Sequence, residues 1–168
     1  MLERSPITAD GHRQLQAEVK RLTTIERPKA AQAIATARAH GDLSENAEYD
    51  AAKEAQGLLE ARIRMLESRL STALVVDIEK LSGTKVVFGA TVTIVDGDSG
   101  EERTLTIVGE DESDVEKGLI SFQSPIARGL IGKSIDDVVE IRLPSGLREY
   151  EITDVQFVVP EVRIGGAR

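Results

Sequence analysis

Four carboxylates, Asp42, Glu45, Glu48 and Asp50, fall within nine positions, and no lysine or arginine lies between Arg38 and Lys53. Carboxylates at that density, with no cation among them, have two chemical uses. They can ligate a hard divalent cation through oxygen, or they can move protons as general acids or bases. Proton transfer near neutrality needs a carboxyl pKa raised by burial or by a closed site, and nothing in the neighbouring residues supplies either. Metal ligation remains, yet one or two exposed carboxylates hold Mg2+ weakly. They matter where a partner supplies the remaining ligands, as in two-metal phosphoryl chemistry. A structural reading competes. Asp42-x-x-Glu45 has the spacing of a capping box at a helix start, and acids in a first turn suit the helix dipole. A cap needs one or two acids, and this segment has four.

The elements that must position these acids are two long amphipathic segments, one on each side. Thr8 is placed to cap the first helix. Leu15, Val19, Leu22, Ala30, Ala33 (or Ile34) and Ala37 then recur at three- and four-residue steps, which is one helical face. Pro28 removes an amide donor and clashes with the preceding turn, so a bend is expected over residues 25–27. In the second helix Ala52, Ala55, Leu59, Ile63, Leu66, Leu70 and Ala73 form the seam of an antiparallel coiled coil. Gly41 ends the first helix and Asp42 starts the second at once. Alanines cluster towards the tip, so that end is expected to be slim. Each helix is expected to hold about 30 residues, roughly 45 Å at about 1.5 Å per residue. A rod with acids at its tip can deliver them into a site that belongs to another molecule.

The pattern changes after residue 78. Short β-like runs at residues 86–95, 103–108, 119–122, 138–143 and 149–155 are separated by turn signals such as Asp96-Gly97, Ser99-Gly100 and Pro144-Ser145-Gly146. Ser124-Pro125 can open a short helix over residues 126–131, with Gly132 as its stop. The expected architecture is α+β in two domains. It comprises a coiled-coil hairpin (1–78, acidic tip at 41–50), a linker (79–85), a small α+β domain (86–157) and a loose tail (158–168).

Composition narrows the partners. The 168 residues carry a net charge of −8, distributed unevenly. Residues 1–80 hold 12 basic and 13 acidic side chains, and residues 81–168 hold 9 and 16. Independent duplex binding relies on neutralising phosphates, so any nucleic acid is expected to be presented by a partner. There is no Cys, hence no disulfide or thiolate metal site, and no apolar run long enough for a membrane span. The expected location is the cytoplasm. His12 and His40 lack metal-ligand spacing, and no phosphate-loop or nucleophile-elbow motif occurs. Arg62, Arg64 and Arg69 read as a solvated salt-bridged face, with a strip facing an RNA 3′ end as the alternative. Tyr49 lies one turn past Glu45 and can pack against the opposite helix or help position a ligand.

Several of these strings resemble the Gre family of bacterial transcription elongation factors. They are Pro6-Ile7-Thr8 with Gly11, Arg27-Pro28, Ala37-Arg38 and the run from Gly41-Asp42-Leu43-Ser44-Glu45-Asn46 to Ala47-Glu48-Tyr49. Ala52-Lys53-Glu54, Val108-Gly109 with Glu112 and Asp114, Ser124-Pro125-Ile126-Ala127 and Leu130-Ile131-Gly132-Lys133 add to them. The resemblance implies a C-terminal domain of FKBP-like fold that docks on RNA polymerase. It implies a coiled coil that enters the polymerase's secondary channel, and tip acids that reach the active site of a backtracked enzyme beside the nascent RNA 3′ end. There Asp42 and Glu45 would help hold a second Mg2+, shared with the polymerase and not bound stably by the chain alone, and would orient water. The chain would thus act in trans rather than as an enzyme. Gly41, Leu43, Ser44, Asn46, Glu48 and Tyr49 would shape the tip. For docking, Ile120, Ser121, Phe122, Ser124, Pro125 and Ile126 are the expected surface. The chain is expected to be a monomer. The competing functions are a polymerase inhibitor of the same shape, and a prolyl isomerase or chaperone, whose site would need more aromatics than this half contains.

Overall fold

The Thr8 hydroxyl accepts the Gly11 backbone N–H at 3.1 Å, so helix α1 (Ala9–Arg21) starts at its expected cap. The computed structural model describes residues 3–39 and 46–164. The chain divides into two compact units, Arg13–Thr72 on the one hand and Met1–His12 with Ala73–Arg168 on the other. This differs from a hairpin domain running to residue 78. Strand β1 (Ser5–Thr8) pairs in parallel with strand β2 (Ala73–Val76), Ser5 opposite Ala73 and Thr8 opposite Val76. Both ends of the expected hairpin thus pair with each other and fall in the second unit.

In the helical unit, α1 continues through a π-helical stretch, Leu22–Glu26, into α2 (Arg27–Ala39). Pro28 explains the stretch. It has no N–H, and its ring would clash with the carbonyl four residues back. The widened turn lets the Arg27 N–H reach the Leu22 carbonyl instead. The Thr23 and Thr24 hydroxyls donate to the Val19 and Lys20 carbonyls at 2.9 and 2.6 Å, occupying acceptors beside the irregularity. The expected bend over 25–27 is therefore a π-helical stretch slightly earlier.

Helix α3 (Ala47–Thr72) turns Ala52, Gln56, Leu59, Ile63, Leu66 and Leu70 inward, a regular alternation of four- and three-residue steps. Ala55, expected in this seam, is exposed, and Gln56 takes its place. Heptad spacing counted back from Ile63 selects position 56, and the aliphatic stem of Gln tolerates partial burial. On the facing side Ile34, not Ala33, points inward, with Leu15, Leu22 and Ala37 buried. Arg27 reaches from α2 to Glu60 on α3 with a two-pronged pair at 2.8 and 2.9 Å.

The second unit is built on a five-stranded sheet in the order β5-β4-β3-β7-β6. Its strands are β3 (Thr91–Asp96), β4 (Glu102–Val108), β5 (Leu119–Ser121), β6 (Val138–Leu143) and β7 (Gly146–Gln156). Neighbours are antiparallel except β4 and β5, which are parallel. Along β3 burial alternates, with Val92 and Ile94 facing the core. Helix α4 (Pro125–Leu130) buries Ala127 and Leu130 against that core, and Ser124 caps it by accepting the Ala127 N–H. The α+β class is as expected. The strand expected over 86–95 is shorter, because Gly89 adopts a left-handed backbone at φ +89° and interrupts it. The tail also differs from expectation. Val162 and Ile164 are buried, and Val162 packs with Val108 and Leu119. Alternate apolar residues after Pro160 cover that cluster, so residues to Ile164 are not loose.

Candidate functional site

Asn46 caps α3. Its Oδ1 accepts the Tyr49 backbone N–H at 3.2 Å, and its carbonyl accepts that of Asp50 at 3.0 Å. Asn is among the best cap residues, because its short side chain reaches amides that the first turn leaves without partners. Glu48 and Asp50 then sit in the first turn, where negative charge suits the helix dipole. The expectation that Asp42 and Glu45 form a capping box falls on residues outside those described, but the cap that α3 uses is Asn46.

Tyr49 faces back across the hairpin. Its hydroxyl accepts from an Arg38 Nη2–H at 3.3 Å, and the Arg38 guanidinium lies 5.5 Å from its ring centre. The hydrogen bond from this cation is the main cause that holds the Tyr49 phenol below its usual pKa. Buried Ala37, one residue before Arg38, leaves room for the helices to approach closely here. Sequence reading proposed packing for Tyr49 but assigned nothing to Arg38. The only available signal was an arginine just before the turn and a tyrosine just after it.

Of the other tip residues, Gly41, Asp42, Leu43, Ser44 and Glu45 lie outside the described residues, as does His40. The described tip residues that the sequence singled out are therefore Asn46, Glu48 and Tyr49. No cluster of three or more His, Cys, Asp or Glu able to hold a metal occurs among the described residues.

Two features of the second unit bear on its role. Glu112 is fully buried and ties distant segments together. It accepts the Thr8 N–H at 3.0 Å, the Thr8 hydroxyl by a short bond, and the Gly109 N–H at 2.7 Å. Burial outweighs these bonds and pushes its pKa up. Gly11 lies so close that a Cβ there would fall 1.8 Å from Glu112 Oε1. In the sequence this acid is singled out only through the family resemblance. The signal missed was Gly109-x-x-Glu112, a capping spacing. The expected docking residues are the second feature. Ile120 is buried in the core, Phe122 meets Phe88 edge-on at 6.0 Å, and Ile126 packs against the same cluster. Ser121 accepts the Gln123 N–H, and Ser124 caps α4. Pro125 is exposed. The four aromatics of this unit, Phe88, Phe122, Tyr150 and Phe157, are all committed to its core.

Comparison with known proteins decides the family. Residues 5–75 match the family described as "Transcription elongation factor, N-terminal", and residues 81–157 match "Transcription elongation factor, GreA/GreB, C-term". This chain belongs to the GreA/GreB family of transcription elongation factors. Transcription elongation factor GreA of Phenylobacterium zucineum is 54% identical over 157 residues, which is 94% of this chain and 100% of that protein. The GreA of Hyphomonas neptunium is 56% identical over 156 residues, 93% of this chain and 99% of its own length. Among solved structures, GreA factor homolog 1 of Thermus thermophilus aligns with a TM-score of 0.43 at 26% identity, covering 92% of this chain and 99% of that one. The join between the two GreA/GreB family matches, residues 76–80, begins at the last residue of β2, close to where the helical unit gives way to the sheet unit. Among the described residues no helix is long and apolar enough to cross a membrane.

Proposed function

We propose that this GreA/GreB family member inserts its helical hairpin into the secondary channel of RNA polymerase and stimulates the polymerase's own cleavage of backtracked transcripts. The observation that carries this reading is the division of tasks at the start of α3. Asn46 supplies the cap, so capping does not account for Asp42 and Glu45. Their carboxylates are hard oxygen donors, which suits Mg2+. Two carboxylates supply only part of a coordination shell of about six oxygens, so the rest must come from the polymerase and its substrate. Mg2+ held there would supply charge neutralisation at the scissile phosphate and acidify a bound water. Asp42 and Glu45 would contribute oxygens to the ion and accept hydrogen bonds from water. The chain turns nothing over alone; it completes a site that belongs to the polymerase. The sheet unit docks, on a face near residues 120–126 where Pro125 is exposed. An inhibitor of the same shape would need no carboxylate at the tip.

Insertion is tested by photo-crosslinking in a halted, backtracked polymerase complex. A crosslinker replacing Ser44 should label the RNA 3′ end, and one replacing Ser68, near the other end of α3, should not. Equal labelling from both positions, or none from position 44, would count against insertion.

A further inference from the structure

The descending and ascending helices are tied to each other next to the acidic segment. Arg38 is the penultimate residue of α2 and Tyr49 the third residue of α3. The interval between them contains both Asp42 and Glu45. Two hydrogen bonds and one cation–ring contact converge on Tyr49. Its backbone N–H is held by Asn46, its hydroxyl accepts from Arg38, and its ring lies beside the Arg38 guanidinium. Tyr49 is half-buried, while Arg38 is exposed apart from this contact. One aromatic residue therefore links the cap of α3 to the end of α2.

We propose that Arg38 and Tyr49 are positioning residues for Asp42 and Glu45, a clasp that fixes the separation and orientation of the two chain ends from which the acidic segment springs. The physical basis is entropic. A segment whose ends are pinned samples fewer conformations, and less ordering is left to be done when the carboxylates meet the metal and water. The proposal rests on the reading that Asp42 and Glu45 act inside the polymerase. Neither clasp residue touches the reacting atoms in this account. Their loss should lower the maximal rate and leave polymerase affinity unchanged, because docking belongs to the other unit.

The test is transcript cleavage by a backtracked complex, measured against factor concentration, for wild type, Arg38→Ala, Arg38→Lys, Tyr49→Phe and the Arg38→Ala/Tyr49→Phe double variant. An exposed cation–aromatic pair implies that Arg38→Ala lowers the maximal rate by about two- to fivefold. The half-saturating concentration and the helical circular dichroism should not change. Lys at 38 should restore part of the loss, since it keeps a cation beside the ring. The double variant should be no slower than Arg38→Ala, because the two residues act as one unit. Additive losses, a change confined to half-saturation, or wild-type rates in every variant would each overturn the clasp. An Asp42→Asn/Glu45→Gln variant run alongside separates the two ideas. If it is inactive while the clasp variants match wild type, only the clasp falls. If wild type itself gives no stimulation, the proposed function falls and the clasp with it.

Discussion

Glu112 shows how a single residue can join segments a hundred positions apart. A fully buried carboxylate is costly unless its oxygens find donors, and here two backbone N–H groups and one hydroxyl supply them. Glu112→Gln keeps the shape but turns an amide donor towards backbone N–H groups that need an acceptor. The expected cost is about 1–3 kcal/mol, read by thermal unfolding. The pH dependence has a defined sign. Burial raises the Glu112 pKa above its ordinary 4.5, so the folded protein binds that proton more tightly than the unfolded chain. The stability from that proton is complete below 4.5 and is lost as pH rises through the raised value. The gap between wild type and Glu112→Gln should therefore narrow as pH rises from 4.5. A widening gap would mean that the three hydrogen bonds outweigh burial. Gly11→Ala should also destabilise, by about 1–3 kcal/mol, because Glu112 is held on both oxygens and cannot retreat from the added methyl. Only the Gly109-x-x-Glu112 half of this was legible locally, as a capping spacing. Glu112 stands in an acidic run, and its burial becomes visible only when β1 is placed beside β4.

Element types were legible because their signals are local. Helical spacing identified α1, α2 and α3, Thr8 and Ser124 were found as caps, and turn residues delimited most strands of the sheet. The errors arose where identity and spacing disagreed, or where pairing was distant. Ala55 looked apolar enough for the seam, yet the heptad places Gln56 there. The pairing of β1 with β2 joins two four-residue strands nearly seventy positions apart, which no periodicity reveals. The ordered stretch to Ile164 needed the Val108–Leu119 cluster to be seen first. The corrected seam can be tested by mutation. Ile63→Ala should cost about 2–5 kcal/mol, since it empties a fully buried site. Ala55→Glu should change stability by less than about 0.5 kcal/mol, as for an ordinary surface position. Both are read from thermal loss of helical circular dichroism, and a large penalty at position 55 would restore the original seam.

At the scale of the whole molecule, the proposed function gives the two units two tasks. The sheet unit commits its aromatics and most of the expected docking segment to its own core, which gives a rigid body for attachment. In the helical unit, α3 alone spans about 39 Å at about 1.5 Å per residue. The acidic segment was the plainest functional signal in the sequence, because four carboxylates without a cation have few uses. What the structure adds lies beside it, in the Asn46 cap and the Arg38–Tyr49 contact. In the proposed function Asp42 and Glu45 act on chemistry in the polymerase. The most direct measurement of that role is cleavage of end-labelled RNA in a backtracked complex with Mg2+, comparing wild type with Asp42→Asn/Glu45→Gln at saturating concentration. Wild type should accelerate cleavage, and the isosteric variant should bind equally but give only the rate of the complex alone. Equal acceleration by both proteins would contradict that role.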